Sequence, residues 1–304
     1  MHNGQANAPD MPNFFVPGAA KSGTFSLYFY LKQHPEVCIP RKEMGFFANE
    51  MFEKQVPRPK GILIEQEYRR MYRRGTTART RARGDLTPDY LYHHRNVIPK
   101  ILSYVGDARI IILLRDPVDR AYSGYTHFLV RGIETLSFEE AIRAEGTRMR
   151  NQDRSLFYYV DMGFYYEQVK AYLDSFSTVR VYLLEDLKRD AKGMMREIYE
   201  FLEVDVSFVP DTTRIFNTSG IPKNTLIYKM FFKETPFRIA VKEFLVKSFV
   251  PERTMQYLID KFRRPHLHST PIKPETRAKL KQLYREDILR LQDLIARDLS
   301  SWLE

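Results

Sequence analysis

Phe14-Phe15-Val16-Pro17-Gly18-Ala19-Ala20-Lys21-Ser22-Gly23-Thr24-Phe25-Ser26-Leu27-Tyr28-Phe29-Tyr30-Leu31 carries three signals in a row. An apolar run leads into a loop of small residues around Gly18 and Gly23, and a second apolar stretch follows, so the order predicts strand, glycine loop, helix. Small residues let backbone N–H groups close around an anion, and the next helix turns its unpaired amides and positive dipole end toward the same point. Lys21 and the hydroxyls of Thr24 and Ser26 add a charge and directed donors. A Walker loop requires lysine directly after its second glycine; here Thr24 follows Gly23 and the lysine sits inside the loop.

A second segment has the same grammar. Arg109-Ile110-Ile111-Ile112-Leu113-Leu114 is an unbroken β-branched and apolar run, the pattern of a parallel strand buried on both faces. It ends in Arg115, after which Asp116 is placed as an N-cap and Pro117 at the first helical position. Ser123 lies two helical turns further on, so that Arg115 and Ser123 could grip one phosphate.

Both segments resemble motifs of the sulfotransferases that use 3′-phosphoadenosine 5′-phosphosulfate (PAPS). Residues 18–24 resemble the 5′-phosphosulfate loop of that family, and Arg115-Asp116-Pro117-Val118-Asp119-Arg120-Ala121-Tyr122-Ser123-Gly124-Tyr125 resembles its 3′-phosphate motif. Lys42-Glu43-Met44-Gly45-Phe46-Phe47 is similar to the K-E-x-x-F-F element of the bacterial and heparan-sulfate-type branch, in which the glutamate is the catalytic base. The resemblance implies an α/β fold of three layers, P-loop-like, with a central parallel sheet flanked by helices and a helical C-terminal part. It implies PAPS as donor, 3′,5′-adenosine bisphosphate (PAP) as product and no metal. The implied donor contacts are Ala20, Lys21, Ser22, Gly23, Thr24, Phe25, Ser26, Arg115, Ser123 and Lys223. Glu43 is the implied base, Lys21 the cation on the leaving oxygen, and Lys42 the cation beside the sulfuryl group. Thr87-Pro88-Asp89-Tyr90-Leu91-Tyr92 resembles an acceptor-side element, which makes Tyr90, His93 and His94 candidate acceptor contacts, with either histidine an alternative base. Three positions depart from the pattern. Phe25 stands where a hydroxyl residue is common, Lys223 is a point charge where Arg or Lys closes the donor loop, and Tyr159-Val160-Asp161-Met162-Gly163 lacks an arginine before its glycine.

Composition bounds the rest. With 304 residues, 43% hydrophobic content and a net charge of +10, the chain is expected to form one α/β domain from residue 13 to 304 after a polar, flexible tail at 1–12 without an export signal. No apolar run approaches the roughly 18 to 20 residues of a membrane span, so no stable membrane insertion is expected. One cysteine, Cys38, excludes an intramolecular disulfide and sits in an apolar stretch as an inert thiol. A cytoplasmic location is the expectation. The charge suits a polyanionic donor and also an acidic acceptor. Arg69, Arg70, Arg73, Arg74, Arg79, Arg81 and Arg83 form the densest basic stretch, either a solvated surface or a docking site for an anionic acceptor. No nucleic-acid-binding signature accompanies them, so no nucleic-acid partner is expected.

Helical spacing is predicted from about Val97 to Val105, Gly163 to Phe176 and Ala191 to Leu202, and after Lys273; strands are predicted at residues 37–39, 109–114 and 179–184. Alternation of this kind predicts a parallel sheet covered by helices. The candidate acceptors are a carbohydrate, a lipid or a small metabolite. Two competing readings are an ATP-dependent P-loop phosphotransferase and an inactive relative that only binds nucleotide or an anion.

Overall fold

The computed structural model describes residues 9–49, 64–213, 221–222, 267–268 and 271–304. Lys223 and residues 214–220 of the expected loop lie outside the described residues. Strands β1 (Phe14–Gly18), β2 (Val37–Cys38), β3 (Ala82–Asp85), β4 (Arg109–Leu114) and β5 (Val179–Leu183) form one sheet in the order β2-β3-β1-β4-β5. All neighbours are parallel, with Phe14 opposite both Gly84 and Arg109, and Ile110 to Leu114 opposite Val179 to Leu183. Phe14, Phe15 and Val16 on β1 and residues 110–114 on β4 have no exposed surface. Side chains alternate across a strand, so burial along the whole run requires cover on both faces. Helices α1 (Thr24–Leu31) and α8 (Ala191–Phe201) share one core with Phe14, Val16, Ile111 and Leu113.

The strand order decides where a ligand can sit. From β1 the chain crosses to β2 at one edge and returns inward to β3, and from β3 it crosses to β4 and β5 on the other side, so the connections leaving neighbouring β1 and β3 run in opposite directions. In open parallel sheets ligands occupy the crevice beyond the strand ends at such a reversal. The glycine loop leaves β1 at that point.

The described helices are α1, α2 (Glu65–Gly75), α3 (His94–Tyr104), α4 (Pro117–Val130), α5 (Phe138–Arg150), α6 (Tyr166–Ser175), α7 (Leu184–Arg189), α8 and α9 (Pro274–Ile295). Two compact units contain them. One comprises the described residues up to 120 with 161–213 and 280–304; the other comprises 121–160 with those between 217 and 279. Within the second unit, buried Glu134 accepts hydrogen bonds from Arg148 at 2.7 Å and from the Tyr159 hydroxyl at 3.0 Å.

Three differences from the sequence expectation have physical causes. Ala82-Arg83-Gly84-Asp85 has no apolar run, yet it forms β3, because Gly84 leaves the space Phe14 fills: a Cβ there would stand 2.2 Å from the Phe14 ring. The arginine-rich stretch contains α2, which buries Tyr68 and Tyr72 completely. Two of its arginines are committed locally, since Asp10 bridges Arg69 and Arg73 at 2.8 Å each and Glu65 also pairs with Arg69. The end of the expected tail is anchored, with Met11 buried and its carbonyl accepting from Arg83 Nε at 2.8 Å. No helix among the described residues is long and apolar enough to cross a membrane.

Candidate active site

The glycine loop is built from backbone. After Gly18, the Ala19 N–H donates to the Leu113 carbonyl of β4 at 2.7 Å, and the Ser22 N–H closes a turn onto the Ala19 carbonyl at 3.2 Å. Lys21 has φ +71° and Gly23 φ +94°, the left-handed region. At Gly23 glycine is required twice over, because a Cβ would also meet Leu184 Cδ1 at 2.7 Å. Gly23 is the N-cap of α1, whose first turn contains no acidic residue and receives no side-chain cap. No carboxylate therefore opposes the positive dipole end of the helix, which fits an anion. Thr24, Ser26 and Ser22 are buried, while Ala20, Lys21, Gly23 and Phe25 are partly exposed.

Arg115 reaches this loop. It follows the last residue of β4, and its Nη1 donates to the Lys21 carbonyl at 3.2 Å, while Nη2 stands 3.8 Å from Asp119. Asp116 caps α4 by accepting from the Asp119 N–H at 2.9 Å. Ser123 is buried on α4.

Lys42 and Glu43 lie in a second segment that reaches the first through Phe25. Lys42 Nζ pairs with Glu43 Oε1 at 2.6 Å and stands 4.1 Å from the centre of the Phe25 ring. The aromatic residue that departs from the family pattern thus supports the second cation. Glu43 is half exposed, has φ +55°, and its N–H donates to the Leu86 carbonyl at 3.1 Å.

The acceptor-side candidates are arranged differently. Tyr90 has no exposed surface, and its hydroxyl donates to Asp85 Oδ2 at 3.1 Å and accepts the Phe47 N–H at 3.1 Å. His93 is buried, and burial first, then neighbouring His94, lowers its pKa to about 4, so it is neutral near pH 7. Burial likewise lowers the pKa of His94. Sequence reasoning missed Asp89, which lines a narrow cleft with Ala19 and Ala20 of the loop, Tyr92, Arg120 and Gln168. Burial and the Glu43 carboxylate push the Asp89 carboxyl up to about 6, and Lys42 pulls against them. Two acids and a lysine are therefore coupled beside the loop. The sequence showed Asp89 inside a Pro-Asp-Tyr turn, but nothing in that turn announces its neighbours. Among the described residues no group of three or more His, Cys, Asp or Glu side chains could hold a metal ion.

The family model described as "Sulfotransferase family" matches residues 12–208. Among solved structures, a sulfotransferase from Alicyclobacillus acidocaldarius is 31% identical with a TM-score of 0.74, covering 97% of this chain and 99% of that one. Curated relatives include a heparan sulfate glucosamine 3-O-sulfotransferase of Mus musculus, 27% identical over 71% of this chain and 52% of that protein. Another is the membrane-associated sulfotransferase kil1 of Dictyostelium discoideum, 29% identical over 44% of this chain and 28% of that protein. The chain spans about half, or less, of the length of these curated relatives.

Proposed function

The chain belongs to the sulfotransferase family, and from that premise we propose that it moves the sulfuryl group of PAPS to a hydroxyl or amine of a carbohydrate, lipid or small-metabolite acceptor. The observation that carries the proposal is the meeting of Arg115 with the Lys21 carbonyl at the uncapped, acid-free start of α1. One cation and the positive dipole end of α1, which has no acidic residue in its first turn, suit the 5′-phosphate there. A second cation, Arg115 at the end of β4, suits a 3′-phosphate. The donor supplies an activated sulfuryl group on a phosphate oxygen. The glycine loop and the start of α1 would hold the phosphate, and Lys21 would neutralise the charge that grows on the bridging oxygen as its bond to sulfur breaks. Glu43 takes the proton from the acceptor atom as that atom forms its bond to sulfur, and Lys42 offsets the charge of the transferred group. The relatives that act on heparan sulfate glucosamine support a carbohydrate among the acceptor classes. Asp89 and Glu43 make the acceptor side acidic, which favours a neutral or cationic group at the point of attack.

Calorimetry with PAP in the absence of magnesium tests the donor reading. Tight binding is expected, and Arg115→Ala should weaken it by about 1.5–3 kcal/mol, the range for a hydrogen bond to a charged group. Preferential binding of ATP with magnesium, indifferent to Arg115→Ala, would replace this reading with phosphoryl transfer.

A further inference from the structure

Glu43 is held in an unusual conformation. Both Glu43 (φ +55°) and Gly45 (φ +71°) occupy the left-handed region, which the backbone of a non-glycine residue rarely adopts unless its surroundings fix it. What fixes residues 43–47 is a chain of hydrogen bonds to the turn that follows β3, 42 to 43 residues away in sequence. The Gly45 N–H donates to Thr87 Oγ1 at 3.2 Å, and the Thr87 hydroxyl donates to Asp85 Oδ1 at 2.7 Å. The Phe47 N–H donates to the Tyr90 hydroxyl, and that hydroxyl donates to Asp85 Oδ2, each at 3.1 Å. Tyr68 from α2 gives a third hydroxyl to Asp85, at 2.8 Å. Asp85, Tyr68 and Tyr90 have no exposed surface, and Thr87 is 2% exposed.

The direction of these bonds follows from one charge. An ionised carboxylate only accepts, so the hydroxyls of Thr87 and Tyr90 must point their hydrogens at Asp85 and are left with lone pairs facing the segment. Those lone pairs are what the Gly45 and Phe47 amides require. Burial raises the Asp85 pKa, and the three hydroxyls oppose that rise, so the network itself supports the charged form.

We propose that Asp85, acting through Thr87 and Tyr90, is the positioning residue for Glu43: the buried carboxylate sets the polarity of two relays that hold the Glu43 segment in place. The proposal rests on the reading of Glu43 as the base. In Asp85→Asn an amide NH2 replaces one acceptor oxygen, so one hydroxyl must turn around and compete with the amide it now receives.

Because Asp85→Asn risks the fold, the test uses Thr87→Val, Thr87→Ser and Tyr90→Phe in the full chain with PAP bound. Amide hydrogen exchange at Gly45 and Phe47 is followed by NMR, and turnover is followed as PAP release from PAPS. Thr87→Val should speed exchange at Gly45 about tenfold or more, Tyr90→Phe should do so at Phe47, and Thr87→Ser should restore protection. PAP affinity should stay within about twofold, turnover should fall about tenfold or more in Thr87→Val, and the same change in a Glu43→Gln background should alter turnover less than about twofold. Unchanged exchange at Gly45, or an equal loss of turnover in the Glu43→Gln background, would overturn the proposal. A wild type that fails to bind PAP would sink the donor reading instead, while the exchange measurement would still decide whether the relay exists.

Discussion

The donor loop at residues 18–26 and the base segment at 42–47 each carry a proposed catalytic side chain on a backbone of positive φ, Lys21 at +71° and Glu43 at +55°, yet they are stabilised by opposite means. The loop is held mainly by its own backbone, with a left-handed φ at Gly23 and one backbone bond to β4, and a single distant side chain, Arg115, reaches its Lys21 carbonyl. The base segment is held by side chains of a distant strand and turn, converging on a buried carboxylate. A phosphate cradle needs backbone donors, which local geometry supplies. A general base needs a side chain aimed from outside the cradle, and only long-range contacts can aim it.

The difference predicts that the two regions fail separately. Glu43→Gln should lower turnover by about 10² to 10⁴-fold, the usual contribution of a positioned base, with PAP affinity intact by calorimetry. A parallel loss of PAP affinity would show that the regions are not separable.

His93 sharpens the contrast from the side of stability, since it lies next to the turn that supports the base segment. Its folded pKa of about 4 lies below the ordinary 6.5, so the unfolded chain takes a proton that the folded chain refuses. Its contribution to stability is complete above pH 6.5 and is lost as pH falls toward 4. Urea unfolding should show wild type losing up to roughly 3 kcal/mol against His93→Gln over that interval, with no change in the difference above it. Asp89, also raised to about 6, tilts stability the other way, but both proteins contain it and it cancels in the comparison. A difference that stays level from pH 7 to 4.5 would mean the imidazole is not buried neutral.

Gly23→Ala tests the local half. The left-handed φ and the contact with Leu184 at 2.7 Å should cost roughly 1–3 kcal/mol, read as weaker PAP binding together with a lower unfolding midpoint. Tolerance of alanine there would mean that the loop is not backbone-determined. The smallest effect is expected at the one side chain linking the regions. Phe25→Leu removes the ring beneath Lys42 and should reduce turnover only by the about 0.5–1 kcal/mol of an exposed cation–π contact, with the fold unaffected by circular dichroism.

How much of this was legible follows the same division. Residues 14–31 and 109–125 read correctly as strand, loop or cap, and helix, because glycine, proline and an N-cap aspartate act within a few residues of themselves. Lys21 and Arg115 were expected at two different phosphates of one donor; that they touch follows from the pairing of β1 with β4, which no local pattern announces. β3 escaped notice because its four residues carry no apolar period and depend on Phe14 for their packing. Tyr90 was expected to meet the acceptor and instead lies buried, its hydroxyl shared between Asp85 and the Phe47 amide.

Sequence alone therefore determined the class of fold and the strand-to-helix order at residues 14–31 and 109–125, since each is encoded by residues adjacent along the chain. The tertiary structure decided the order of the sheet, the commitment of Arg69 and Arg73 to Asp10, and the ring of Asp85, Thr87 and Tyr90 behind Glu43. A buried hydrogen-bond network leaves no periodic trace: its members sit on different elements, and what makes each of them necessary is the low-dielectric space they share, which exists only after the chain has folded.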